Sequence, residues 1–436
     1  MRIHSFSAVS MAALAGVALA PAAFAVGNNV LGLSARVGVS YTDNRDQVEN
    51  RTVRAGRTIG KEDQWSFYIG PTVSLKKHVD DRLDFEFGYS PVIRWYDEVT
   101  AGKEKHKVDH SVYAKLDYDF SPRTRVRLTE SYWWTGMRDY FYGEGYEFDP
   151  NRDTKLDHEY WENRVGGSIS HKLVGEDYLK LSANWRVKRY DDDELAAYSD
   201  EDEYSARADY MHSATRFVSY GLFASYLDWD RESDASRTGA YRIDQGVSIF
   251  TLGLQGIYDF DGNRNHYLYA GVGWSRDDYE ADDLDSEDFA SVVAELRLFQ
   301  QKETSLNAGF RYGTYHADTY PFSAQEETAG FVTVTERFSD RFRANAALEF
   351  RRRTYDGSDD LDPTAARYGY LAALKEANGG SDSFDKDSTF FRVTLAYDFN
   401  EWVTGNAWYS FQNVDSDVGQ DYDENRCGLG ATVKFY

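Results

Sequence analysis

Charged residues in this chain alternate with apolar ones over stretches of ten or more positions. Lys180, Arg186 and Lys188 interleave with Leu179, Leu181, Ala183, Trp185 and Val187. Arg343, Glu349, Arg351 and Arg353 interleave with Phe342, Ala344, Ala346, Leu348 and Phe350, and Asp84 and Glu86 with Leu83, Phe85 and Phe87. Arg125, Arg127, Arg297 and Arg311 occupy similar settings. In a strand, residues two apart share a face, so each stretch has one charged and one apolar face. Cations facing the carboxylates of Asp84, Glu86, Asp117, Glu295 and Glu349 would set up a field that orients ions or sugars in a pore. The same groups would equally serve as mutual pairs that keep a polar wall hydrated, and both readings stand at this point.

Other chemistry has little support. No His-Glu-x-x-His, Gly-x-Ser-x-Gly or phosphate-cradling glycine loop occurs, so no catalytic residue and no cofactor is assigned. His106 and His110 lie four apart beside a strand pattern, where no helical face joins them, and no metal site is assigned there. Acidic runs at 191–194, 200–203, 282–288, 359–360 and 415–424 read as solvated loops, or as weak divalent-cation sites through oxygen ligands. As outer loops they would give the mouth a negative potential that draws in cations. A net charge of −24 leaves no basic stripe for nucleic acid. The single cysteine, Cys427, excludes an internal disulfide and falls on an apolar face.

The elements that position these charges announce themselves by a recurring turn. Tyr118-Asp119-Phe120, Tyr258-Asp259-Phe260 and Tyr397-Asp398-Phe399 each close an alternating stretch and run into a turn. Tyr and Phe thereby finish an apolar face in an aromatic pair, as a transmembrane barrel does where its outer band meets the interface. Aromatics reach 16% of residues and prolines number only 7, which suits many strands. The alternation predicts strands near 30–41, 65–78, 82–96, 107–120, 125–136, 159–172, 177–190, 203–213, 217–230, 244–260, 266–279, 287–300, 304–316, 327–338, 342–355, 387–399, 402–414 and 425–436. The fold class is all-β: a transmembrane antiparallel up-and-down β-barrel of about eighteen strands, with sixteen as the alternative. Short turns alternate with long loops, the outer-membrane pattern, with both termini on the short-turn side. Glu130 and Glu336 break the apolar face and are expected at an interface or a bulge, because a charge facing mid-membrane lipid is costly. Phe435, in phase with Leu429, Ala431 and Val433, ends the last apolar face.

Residues 1–25 read as a signal peptide: Arg2 and His4, an apolar run from Val9 to Ala20, then Ala23-Phe24-Ala25. Residues 26–436 would form the barrel, with no room before the first strand for a plug. Loop 356–386 carries a short helical pattern between Asp362-Pro363 and Asn378-Gly379-Gly380. Its Arg367, Tyr368, Tyr370 and Lys375 would either narrow the pore or lie on the rim. The run Arg351-Arg352-Arg353 would line the pore or grip lipopolysaccharide phosphates.

Gly38-Val39-Ser40-Tyr41-Thr42-Asp43-Asn44 resembles the opening Gly-x-x-Tyr-x-Asp-Asn of the β-barrel porin-2 family. The resemblance implies an integral barrel of the Gram-negative outer membrane and, from some relatives, a link to polysaccharide-export machinery. The expected function is a porin-like channel for small solutes or for polysaccharide export through a charged lumen. The alternative is a closed barrel with a structural or adhesive surface role.

Overall fold

A computed structural model describes residues 29–43, 51–54, 57–60, 63–97, 106–135, 160–190, 200–232, 245–279, 286–300, 304–317, 322, 324–356, 372, 375–376, 378–381, 383–417 and 421–435. The signal-peptide assignment lies outside these residues. The elements are β1 (Asn29–Thr42), β2 (Arg51–Arg54), β3 (Arg57–Gly60), β4 (Gln64–Asp80), β5 (Leu83–Tyr89), β6 (Val92–Tyr96) and β7 (His106–Ser121). They continue with β8 (Thr124–Thr135), β9 (Tyr160–Lys172), β10 (Tyr178–Tyr190), β11 (Asp200–Ser213), β12 (Val218–Glu232), β13 (Gln245–Asp259) and β14 (Tyr267–Tyr279). The last are β15 (Glu287–Leu298), β16 (Ser305–His316), β17 (Ala324–Arg337), β18 (Phe342–Asp356), β19 (Ser383–Asp398), β20 (Val403–Ser416) and β21 (Tyr422–Lys434).

Each wall strand pairs antiparallel with the next along the chain. The circle closes where Val39 of β1 faces Leu429 of β21 while its other edge meets β4. Closure removes the open edges that lipid cannot satisfy. β2 and β3 form a separate hairpin inside what the sequence presents as a long loop. β5 and β6 are two halves of one wall strand, so the barrel has eighteen staves. The break between them falls at Ser90 and Pro91. The register on both sides (Val73 with Tyr89, Ile69 with Ile93) sets Pro71 of β4 opposite Pro91. Proline cannot donate to a ladder, and the chain places both losses at one point.

The outer face is apolar and exposed: Leu252, Leu254, Val272, Leu348 and Leu429 all point outward. The three Tyr-Asp-Phe turns share a geometry. Tyr118 and Phe120, Tyr258 and Phe260, and Tyr397 and Phe399 meet edge to face at 6.3, 5.1 and 5.1 Å. The intervening aspartate points the other way and ties down the turn. Asp119 takes a bidentate bond from Arg125, and Asp398 accepts from the Thr404 hydroxyl at 2.5 Å. Asp259 accepts the backbone N–H groups of Asp261, Gly262 and Arg264 at 3.2, 2.9 and 2.7 Å. Gly262 supplies the positive φ of 73° that this turn requires. Asp259→Ala is expected to cost about 1.5–3 kcal/mol, the range for hydrogen bonds to a charged group. A shifted urea midpoint in lipid vesicles would check it.

On the same side of the barrel, Asp177 lies in the turn between β9 and β10. The His212 ring bonded to it at 3.0 Å, then the Ser213 N–H at 3.0 Å, hold its carboxyl below the usual carboxylate range. A depressed folded value means the stabilisation is complete above the ordinary carboxylate pKa and is lost as pH falls through the folded one. Asp177→Asn should therefore flatten the acid limb of a stability-against-pH curve while leaving its neutral limb parallel to that of the parent.

Strand ends differ most from expectation on the long-loop side. Asp200–Glu203, read as an acidic loop, belong to β11; Glu201–Glu203 lie in register with Lys188–Arg186 of β10 on one side, and Asp200–Glu203 with Glu232–Trp229 of β12 on the other. The strand continues past the apolar band there, so hydrophobic alternation fades while pairing persists. Glu336 lies one residue from the end of β17, as an interfacial charge should. Glu130 does not fit the expectation. It sits midway along β8 in an unbroken ladder between Ala114 and Val165, on the outward face, yet is buried, with Asn163 diagonal to it. Burial, rather than an interface or a bulge, separates this carboxylate from lipid.

Candidate functional site: the charged lumen

The strand alternation that turns leucines outward turns the charges into the barrel. Arg127 meets Asp117 at 2.6 Å, and Arg125 meets Asp119 at 2.7 Å. Glu86 is held by Lys76 at 3.1 Å and by the Tyr113 hydroxyl at 3.0 Å, and Asp84 pairs with His78. Arg297 bonds Glu295 at 2.6 Å, and Arg343 approaches Asp398 at 3.5 Å. Lys180 lies inward in register with Ser170 and Asp209 and is exposed. These pairs occupy the half of the lumen next to the short turns.

Deeper in, the charges are buried and organised around two carboxylates. Glu201 receives Arg186 at 3.1 Å, Arg231 at 3.2 Å and Lys188 at 3.9 Å. Arg186 also bonds Glu203 at 2.9 Å and lies 4.0 Å from Glu162. Across the lumen, Glu327 receives Arg311 at 2.9 Å and Arg351 and Arg353 at 3.5 Å each. Glu349 pairs with Arg351 and lies 3.9 Å from Arg311. Arg351, Arg353 and Glu327 have side chains 1%, 0% and 3% exposed. In so dry a setting each ion pair is strong, and each lost partner is costly.

Two aromatic groups accompany this ionic layer. Trp229 of β12 stacks on His316 of β16 with ring centroids 4.9 Å apart, a chord that skips the three intervening strands. Val247 and Ile249 pack with it, joined by Leu227, Tyr279 and Ala324. Phe322 covers the cross-strand pair Tyr355 and Phe384 at 5.0 and 5.7 Å. Toward the short turns the lumen opens into a cavity of about 1820 Å³, lined from Lys434 and Asn307 up to Arg186 and Glu327.

The triple arginine run is split by the pleat. Arg351 and Arg353 point inward, whereas Arg352 makes a bidentate bond to Asp387 at 2.7 and 2.5 Å. Three adjacent guanidinium groups therefore do not form one phosphate-gripping surface. Arg367, Tyr368 and Tyr370 lie outside the described residues. Lys375 sits in a helical turn whose end is closed by the Gly380 N–H on its carbonyl at 2.8 Å, with Gly379 and Gly380 at positive φ. Among the described residues no cluster of His, Cys, Asp and Glu is arranged to hold a metal ion.

Glu162, Arg164, Glu201, Glu203, Arg231, Glu327, Trp229 and His316 belong to the lumen but are not singled out by charge alternation alone. One sequence signal does expose part of the set. Glu162-Asn163-Arg164, Glu295-Leu296-Arg297, Glu349-Phe350-Arg351 and Glu424-Asn425-Arg426 share an acid and an arginine two apart, on one face. All four couples are paired in the structure.

Closed eighteen-stave walls, an aromatic-edged apolar exterior and a charged interior define an integral membrane β-barrel of the outer-membrane type. The chain matches no protein-family model and no curated protein. Among solved structures it is similar to OccAB2 of Acinetobacter baumannii, with 12% identity, 94% of this chain and 98% of that one covered, and a TM-score of 0.46. OccK5 (OpdH) of Pseudomonas aeruginosa gives 10% identity, coverage of 94% and 99%, and a TM-score of 0.45. The FrpB iron transporter from Neisseria meningitidis gives 9% identity, coverage of 94% and 83%, and a TM-score of 0.48.

Proposed function

We propose that this chain is a channel of the Gram-negative outer membrane that passes small charged solutes through its lumen. The observation that carries this reading is the cavity of about 1820 Å³, which opens inside a closed wall and is lined mainly by charged and polar side chains. A barrel of this strand number lies in the size range that leaves an aqueous passage. Small solutes are favoured over an extruded polysaccharide, because the inward groups of the ionic layer are buried and a polymer would have to displace many of them at once. That buried layer also supports a second reading, a closed barrel with a structural or adhesive role at the surface.

Single-channel recording of the refolded protein in a planar bilayer tests the proposal. Discrete, reproducible current steps are expected. A folded barrel that gives none would overturn the channel reading and leave the closed barrel.

A further inference from the structure

The cavity next to the short turns has a charge opposite to that of the protein. Ten basic side chains line it, nine of them arginines, against four glutamates. The whole chain carries −24. The deeper cations are matched by carboxylates, Arg164 by Glu162 and Arg186 by Glu201, and nearer the turns Arg297 and Arg343 are matched by Glu295 and Asp398. Nearer the turns the lining includes Arg36, Arg392 and Lys434 besides Arg297 and Arg343. The side chains of Arg297 and Arg343 are 43% and 48% exposed, within reach of a solute. Asn184, Asn307, Asn345 and Asn406 add amide donors to the same lining.

We propose that this cavity is a binding site for multivalent oxyanions, carboxylate or phosphate, and that the channel's cargo is therefore anionic. The selectivity part rests on the channel reading above; the site itself does not. Arginine's planar fork matches the two oxygens of a carboxylate or phosphate and stays charged at every working pH. A cleft of one sign with low-dielectric walls focuses its field and concentrates counter-ions. The field acts over about 10 Å at 0.1 M salt. The arginines of the lumen thus set the sign of selectivity. The ligand is either a free small oxyanion or an acidic sugar chain carrying the same group.

The test uses the refolded full-length barrel in two assays. In a salt gradient across a bilayer, chloride should be favoured over potassium by at least about threefold, from field focusing of this kind. Citrate and inorganic phosphate, added on the short-turn side, should block the current. An oligogalacturonate that blocks at far lower concentration than citrate would identify the acidic-sugar source, with a neutral oligosaccharide of equal length as control. The double variant Arg297→Gln/Arg343→Gln removes two half-exposed groups. It should lower both the chloride preference and the affinity of block severalfold. Potassium selectivity would overturn the proposal and leave the channel intact. In the second assay, calorimetry of citrate binding needs no conduction. Saturable binding weakened in the double variant, from a barrel that does not conduct, would keep the site and discard the channel. Absence of saturable binding by citrate, phosphate and oligogalacturonate would discard the site.

Discussion

Glu327→Gln is expected to destabilise the barrel by about 3–5 kcal/mol, the range for removing one partner from a buried ion pair. Glu327 is the carboxylate on which Arg311, Arg351 and Arg353 converge, and its side chain is 3% exposed. Glutamine keeps the shape and loses the charge, so the three cations remain in a dry layer with their shared counter-charge gone. Glu349 compensates only in part, since it reaches Arg351 and Arg311. Equilibrium urea unfolding in phospholipid vesicles would measure the loss. Arg127→Gln supplies the contrast, because its pair with Asp117 lies at a site where the arginine is 48% exposed and water screens the charge. Exposed pairs are worth about 0–1 kcal/mol. Equal losses in the two variants would mean that the deep layer is as wet as the turn-side lumen.

The outer surface of the barrel was legible because lipid punishes mistakes there. A misplaced Arg or Lys costs about 2–4 kcal/mol at mid-membrane, so apolar alternation survives along much of the wall and the faces of β10 and β18 can be read directly. The Tyr-Asp-Phe turns were legible as aromatic pairs. The role of their aspartates was not, since Asp259 reveals itself only through the backbone groups it collects. Beyond the apolar band both faces of a strand are polar, the period-two signal vanishes, and Asp200–Glu203 look like a loop although their register with β12 is unbroken.

The lumen divides in the same way. Couples such as Glu295 and Arg297 can be read from spacing, because two residues apart on one strand means one face. Glu201 with Arg231, or Glu327 with Arg351, requires knowing which strands are neighbours and in what register. Trp229 is the least legible. Aromatic residues of a barrel are expected in the outer girdle, and β13 carries Phe250, Leu252 and Leu254 outward while Val247 and Ile249 face inward. A stretch that is apolar on both faces gives no clue to which face is the lumen.

Trp229→Ala is accordingly expected to be the most damaging truncation inside the barrel, at about 3–5 kcal/mol, the range for a buried Trp or Phe reduced to alanine. The indole is 1% exposed, stacked on His316, packed on Val247 and Ile249, and covered by the Arg231 guanidinium at 4.9 Å from the ring. Its removal leaves an apolar void and takes away one end of the chord between β12 and β16. Arg231 loses its aromatic platform but keeps Glu201 at 3.2 Å, so the charge layer is loosened rather than broken. Trp229→Phe retains most of the packing and should lose far less than the alanine variant. Two readouts separate packing from passage. Urea unfolding should rank parent, phenylalanine and alanine in that order. In bilayers the alanine variant should conduct more than the parent, because the chord narrows the ionic half of the lumen. An alanine variant as stable as the parent would show that the Trp229 cluster does not hold the long-loop half of the lumen together. Lower stability with unchanged current would place the path for ions along the opposite wall, away from β12 and β16.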